Sequence, residues 1–179
     1  MSRIAKKPIG IPSGVKVVLK DGNVAVEGPK GKAVQAVLAP IQVEIKDKEI
    51  FIRRPTDNIS DKALQGTMFR LLKNWIDGVS KGFQKSLSIE GVGFRAEAKG
   101  SSIVLHVGFT HPVDIPIPQG ISVKIGKPTE ILVEGVSKDQ VGLFAARVRG
   151  VFEPEPYKGK GIRYTGETVR RKAGKAVVK

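Results

Sequence analysis

A run near the C-terminus, Glu155-Pro156-Tyr157-Lys158-Gly159-Lys160-Gly161-Ile162-Arg163-Tyr164, gathers side chains whose types and spacing suit contact with a polyanion. Lys158, Lys160 and Arg163 can neutralise phosphates, and Tyr157 and Tyr164 offer flat faces to a base or a sugar. Gly159 and Gly161 let a backbone approach closely. Pro154 and Pro156 bar a regular helix or a central strand, so the run is expected outside any core. From Tyr157 to Lys179 eight Lys or Arg face one acid, Glu167, which is half of the chain's formal net charge of +14. The cluster continues through Arg170, Arg171, Lys172 and Lys175, and Ile162, Tyr164 and Val169 read as strand-like anchors before it.

Residues suited to catalysis are sparse. The two histidines, His106 and His111, stand five apart with no cysteine in the chain and no evident carboxylate partner. His106, between Leu105 and Val107, reads as a strand residue, and His111 before Pro112 as a turn residue. Glu153 and Glu155 are neighbours in sequence only, which makes no case for acid–base work. Gly28-Pro29-Lys30-Gly31 lacks the spacing of a phosphate loop and reads as a turn with an exposed lysine. Gly91-Val92-Gly93-Phe94-Arg95 fits either a strand bulge or a close approach to RNA. No enzyme activity, cofactor or metal is expected.

Unbalanced positive charge on 179 residues costs self-repulsion unless a partner neutralises it, and nucleic acid is the first candidate. A membrane partner is not expected, because no apolar run is long enough to span and no basic helix is strongly amphipathic. The lack of cysteine fits a cytosolic protein.

The elements that must carry these residues follow from hydrophobic periodicity. Residues 1–20 hold five basic residues and no acid. With Pro8 and Pro12 the first dozen read as an extended basic arm, ordered only against a partner. Alternation at 15–17, 24–26, 33–34, 41–45 and 50–52, broken by Asp21-Gly22-Asn23 and the Gly28–Gly31 turn, predicts four or five short antiparallel strands. From Thr56 the period changes: Leu64, Met68, Leu71, Leu72, Trp75, Ile76 and Val79 predict a helix capped by Asp57, Asn58 or Ser60 and ended by Gly78 or Gly82. The order then repeats. An offset of 80 carries Val24, Gly28, Ile41, Val43 and Ile45 onto Val104, Gly108, Ile121, Val123 and Ile125. An offset of 77 carries Ser60, Leu64 and Arg70 onto Ser137, Val141 and Arg147, with Val141, Phe144, Ala145 and Val148 on one helical face. The fold expected is α+β, a tandem duplication of a small antiparallel sheet covered by one helix. The domains would be 1–81 with the basic arm and 82–179 with a basic RNA-binding extension from about 153 to 179.

Glu155-Pro156-Tyr157-Lys158-Gly159-Lys160-Gly161-Ile162 resembles the signature of bacterial-type ribosomal protein six of the large subunit. Met1-Ser2-Arg3-Ile4, Lys6-Lys7-Pro8-Ile9, Gly28-Pro29-Lys30-Gly31, Gly91-Val92-Gly93-Phe94-Arg95-Ala96 and Gly108-Phe109-Thr110-His111-Pro112-Val113 resemble it too, so the similarity spans essentially the whole chain. Phe152-Glu153 departs where relatives often carry a basic residue, and Gln65 stands where histidine is common.

The resemblance implies two duplicated α+β domains, a cytoplasmic ribosome as location, and assembly into the large subunit through its ribosomal RNA. It also implies a place near the sarcin-ricin loop and the stalk base, beside neighbouring large-subunit proteins and where translation GTPases dock. By carry-over, Tyr157, Lys158, Gly159, Lys160 and Gly161 belong to the RNA-contacting surface. Arg163, Arg170, Arg171, Lys172 and Lys175 extend it on charge alone. Two other readings stay distinct: an RNA-binding regulator or chaperone, which would not sediment with washed large subunits, and an enzyme, which would need a clustered His or carboxylate site that the sequence does not display.

Overall fold

The computed structural model describes residues 4–174. Backbone contacts divide the chain into two units, Met1–Phe83 with Val136–Lys138, and Gln84–Gly135 with Asp139–Lys179. The architecture is α+β, with short strands in small sheets and one long helix in each unit.

In the first unit a 3-10 turn at Ile4–Lys6 precedes β1 (Ile9–Gly10), β2 (Lys16–Lys20), β3 (Asn23–Gly28), β4 (Gly31–Ala36), β5 (Gln42–Lys46), β6 (Glu49–Arg53) and α1 (Ile59–Ser80). The strands form two sheets, β2-β3-β4 and β1-β6-β5, all paired antiparallel. Strand alternation turns Val24, Val26, Val43, Ile50 and Ile52 inward. Helical spacing lines up Met68, Leu72, Ile76 and Val79 to meet them in a single core. At α1's start Asn58 is the cap residue but its side chain makes no capping bond. Asp57 is held instead by Arg54, at 2.7 Å from Nη2, and Thr56 bonds the Asp61 carboxylate.

Residues 5–11 are not an arm waiting for a partner. Ala5 and Ile9 belong to the core, Ile9 pairs with Ile50, and the Ile11 N–H donates to the Lys48 carbonyl at 2.7 Å. The open edge of β6 offers unpaired backbone groups and an apolar floor, and a segment with Ile9 between Pro8 and Pro12 satisfies both.

The second unit runs β7 (Phe83–Glu90), β8 (Arg95–Lys99), β9 (Ser102–His106), β10 (Val113–Pro116), β11 (Ile121–Ile125), β12 (Glu130–Gly135), α2 (Lys138–Val151) and β13 (Gly161–Tyr164). Its sheets are β10-β9-β8 and β11-β12-β7-β13. Val141, Phe144, Ala145 and Val148 are the buried face of α2, as their spacing predicts.

Element order repeats between the units, with an offset that differs from element to element. Val24 and Val26 are buried in β3 as Ile103 and Leu105 are in β9, an offset of 79. On the helices, buried Gln65, Met68, Phe69 and Leu72 match Val141, Phe144, Ala145 and Val148 at an offset of 76. In β3 and on the helices the expected offset was one residue too long, and a one-residue slip in a strand exchanges the buried and exposed faces, whereas in β5 the offset of 80 holds: Val43 and Ile45, paired with Ile52 and Ile50, fall on Val123 and Ile125, paired with Val133 and Ile131. The offset of 80 had put buried Val24 on the half-buried Val104.

Candidate nucleic-acid interface

The basic C-terminal run is built into the second unit, contrary to its expected place outside the core. β13 adds an edge strand beside β7, pairing Ile162 with Ile89 and Tyr164 with Leu87, and Ile162 is 0% exposed. Prolines 154 and 156 precede that strand, so no ladder bond is lost, and an edge strand with one inward isoleucine satisfies both the apolar and the charged residues of the run.

A tight turn then presents the charges. The Glu155 N–H donates to the Lys160 carbonyl at 2.9 Å, and the Gly159 N–H donates to the Glu155 carbonyl at 3.1 Å. Gly161 lies at φ +140, where a Cβ would stand 2.7 Å from the Glu153 carbonyl oxygen. Only glycine fits. Tyr157 and Lys158 are exposed at the tip of this turn, while Gly159 is buried and Lys160 half-buried.

Beyond β13 the chain folds back. The Lys172 N–H donates to the Pro156 carbonyl at 2.8 Å, and the Arg171 guanidinium lies 3.0 Å from where a Gly159 Cβ would be. This return brings Arg171 and Lys172 beside Tyr157 and Lys158. Arg170, Arg171 and Lys172 are exposed. Among the described residues none of Lys158, Lys160, Arg170, Arg171 and Lys172 pairs with a carboxylate. Lys175 lies outside the described residues.

Arg163 sits apart from this group. Its Nη2 meets Glu90 Oε1 at 2.7 Å and its Nε meets Ser88 Oγ at 3.3 Å, on the outward face of β7. Tyr164 is also engaged: Lys85 Nζ lies 5.5 Å and the Arg149 guanidinium 5.9 Å from its ring centre. Tyr157 keeps the open face of the two tyrosines, at 57% exposure.

The acid of the tail is neutralised internally. Glu167 accepts two bonds from Arg149, 3.0 Å from Nε and 2.7 Å from Nη2, and a third from the Tyr164 N–H at 2.9 Å. The Arg149 guanidinium and then that N–H hold the Glu167 carboxyl below the usual carboxylate range, and Glu167 in turn raises Arg149. Arg149 thus offsets the tail's one acid, as Glu90 offsets Arg163. Sequence spacing carries no sign of the Arg149 and Lys85 contacts, since both reach Tyr164 across the fold.

The other residues singled out in the sequence take definite places. His106 lies on β9, 3.9 Å from Glu97. Gly91-Val92-Gly93 forms the connection between β7 and β8 rather than a bulge within a strand. Phe152, at the end of α2, makes edge contacts with Phe94 at 5.4 Å and Phe109 at 5.8 Å, and Glu153 lies 3.6 Å from Arg149. Gln65 is buried in α1, where its Nε2 donates to the Ile52 carbonyl at 2.7 Å and its Oε1 accepts from Arg54. Among the described residues no three His, Cys, Asp or Glu could hold a metal ion, and no helix is long and apolar enough to cross a membrane.

The family model "Ribosomal protein L6" matches residues 11–82 and 90–165. Those two segments start 79 residues apart, the offset that relates β3 to β9. The chain is 47% identical over 175 residues to the large ribosomal subunit protein uL6 of Halalkalibacterium halodurans, covering 98% of each chain. It is 48% identical to the protein of that name from Listeria monocytogenes and 47% identical to that of Geobacter metallireducens, again over 98% of each.

Proposed function

The chain belongs to the ribosomal protein L6 family, proteins of the large ribosomal subunit rather than enzymes, and from that premise we propose that it binds ribosomal RNA through the Tyr157–Lys172 surface. The observation that carries the reading is the folded-back tail. The Lys172-to-Pro156 bond and the placement of Arg171 over Gly159 bring the 170–172 run of cations back to the turn that carries Lys158 and Lys160. Phosphates release counterions to such a surface, and the exposed face of Tyr157 can lie on a base or a sugar.

The working site is Tyr157, Lys158, Lys160, Arg170, Arg171 and Lys172, with Lys175 continuing it. Gly159 and Gly161 shape the turn, and Arg163 serves β13 by its bond to Glu90. In this reading residues 1–81 and 82–179 act as two domains of a duplicated plan, the second carrying RNA recognition. The family resemblance supports a position near the sarcin-ricin loop and the stalk base in the cytoplasmic ribosome, beside neighbouring large-subunit proteins and where translation GTPases dock.

The test is chemical footprinting on large-subunit ribosomal RNA, comparing the full chain with the triple variant Lys158→Ala, Lys160→Ala, Lys172→Ala. A compact footprint that fades with the triple variant supports the assignment. An unchanged footprint moves recognition away from this surface, and diffuse protection by both proteins favours a general RNA binder.

A further inference from the structure

Three loops of the second unit converge on one aromatic cluster that the basic surface does not use. The 91–94 connection between β7 and β8, the 107–112 connection between β9 and β10, and the end of α2 contribute Phe94, Phe109 and Phe152 respectively. Phe152 stands edge-on to both other rings, 5.4 Å from Phe94 and 5.8 Å from Phe109. The Phe94 ring lies so close over Gly91 and Gly108 that a Cβ there would meet it at 2.6 and 3.1 Å. The three loops are thus locked to one another.

What this lock leaves in water is apolar. Val92 is 93% exposed and Phe109 48% exposed. A cluster that buries Phe94 and Phe152 more deeply gains nothing for its own packing by exposing a third ring. The same cluster is joined to the basic run, because the Phe152 carbonyl accepts the Ile162 N–H at 2.8 Å and Glu153 follows it directly. A fixed aromatic face beside a cationic turn is the combination by which proteins hold unstacked bases: cations follow the backbone while the ring supplies a sequence-tolerant stacking platform.

We infer that Phe109, supported by Phe152 and flanked by Val92, is a stacking platform for an unpaired base or a ribose of the RNA whose phosphates meet the Tyr157–Lys172 surface. The inference rests on the RNA-binding reading above and adds a contact that is independent of charge. Phe152 then has a structural part: it aims Phe109 and does not touch RNA itself.

The experiment measures affinity of the full chain for deproteinised large-subunit ribosomal RNA over a range of salt. Phe109→Leu keeps an apolar side chain against Phe152 but removes the flat face, and Phe109→Tyr keeps both. The leucine variant is expected to bind about tenfold more weakly at every salt concentration with an unchanged salt slope, and the tyrosine variant to bind as the parent does. Lys158→Ala with Lys160→Ala is expected to lower the salt slope by about 2. Salt-independent or undetectable binding by the parent chain would overturn the RNA-binding reading itself. Normal parent binding with a leucine variant that matches it overturns the platform alone. If the leucine variant melts early, Phe109→Trp in a Trp75→Phe background replaces it: RNA should quench its emission, and unquenched emission in a bound complex overturns the proposal.

Discussion

Arg149, in the last turn of α2, grips Glu167 through two bonds of 3.0 and 2.7 Å, and so ties the segment after β13 back onto the helix that buries Val141, Phe144, Ala145 and Val148. The two side chains are about three-quarters buried, at 25% and 26% exposure, so solvent screens them less than a surface pair. Glu167→Gln is expected to cost about 1 kcal/mol of stability, and Arg149→Ala, which strands a carboxylate, about 2 kcal/mol. Denaturant titration with a probe in the second unit reads both. Equal stability of all three proteins would remove the latch from the account.

The same pair sets a pH dependence. The folded-state pKa of Glu167 is depressed, so its contribution is complete above the ordinary glutamate value and is lost as pH falls through the folded one. From about pH 5 downward the parent chain should therefore converge in stability on Glu167→Gln. A gap between them that stays constant from neutral to acid pH would contradict this assignment.

Two glycines of one turn should fail differently. Gly161→Ala places a methyl group 2.7 Å from backbone atoms that cannot move aside, at φ +140, and is expected to cost about 3 kcal/mol and to loosen β13. Gly159→Ala, at φ +72, meets the end of a flexible arginine. It should cost only about 1 kcal/mol, with RNA affinity falling as Arg171 is displaced. Thermal melts paired with RNA titration separate the two, and identical profiles would refute the division.

Ile162 is the anchor of the basic run. Ile162→Ala is expected to destabilise the second unit by about 2 to 5 kcal/mol. A chain ending at Glu153 would lose β13 and this side chain together, so its failure to bind RNA would report misfolding, whereas a chain ending at Thr168 keeps both. Near-ultraviolet circular dichroism should show the native signal retained in the longer truncation only.

In the first unit Gln65 joins Arg54 to the Ile52 carbonyl. Gln65→Leu should cost about 1 to 3 kcal/mol, because it leaves a buried carbonyl unpaired. Gln65→His, which can still donate to that carbonyl, should cost less. Similar denaturation midpoints for leucine and histidine would show that the Ile52 bond is unimportant.

The sequence alone determined the period of each element, because alternation and helical spacing are local properties. It thereby placed the strands around Val24, Val43 and Ile50, both helices, and the buried face of α2, and the Glu155–Ile162 signature pointed to the family. The basic cluster at 158–172 was legible as composition. What depended on contacts distant in sequence was not. The repeat register slipped by one residue in β3 and on the helices, since similar apolar alternations align almost as well when shifted, and held in β5. The N-terminal segment looked unanchored until the edge of β6 received Ile9, and the run around Ile162 looked external until β7 offered it an edge. Only the tertiary structure took Arg163 and Glu167 out of the tally of free charges, by giving them Glu90 and Arg149, and brought Lys172 back to Pro156. Charge and spacing can be read from a chain; which charges remain free is decided when the fold brings their partners within hydrogen-bonding distance.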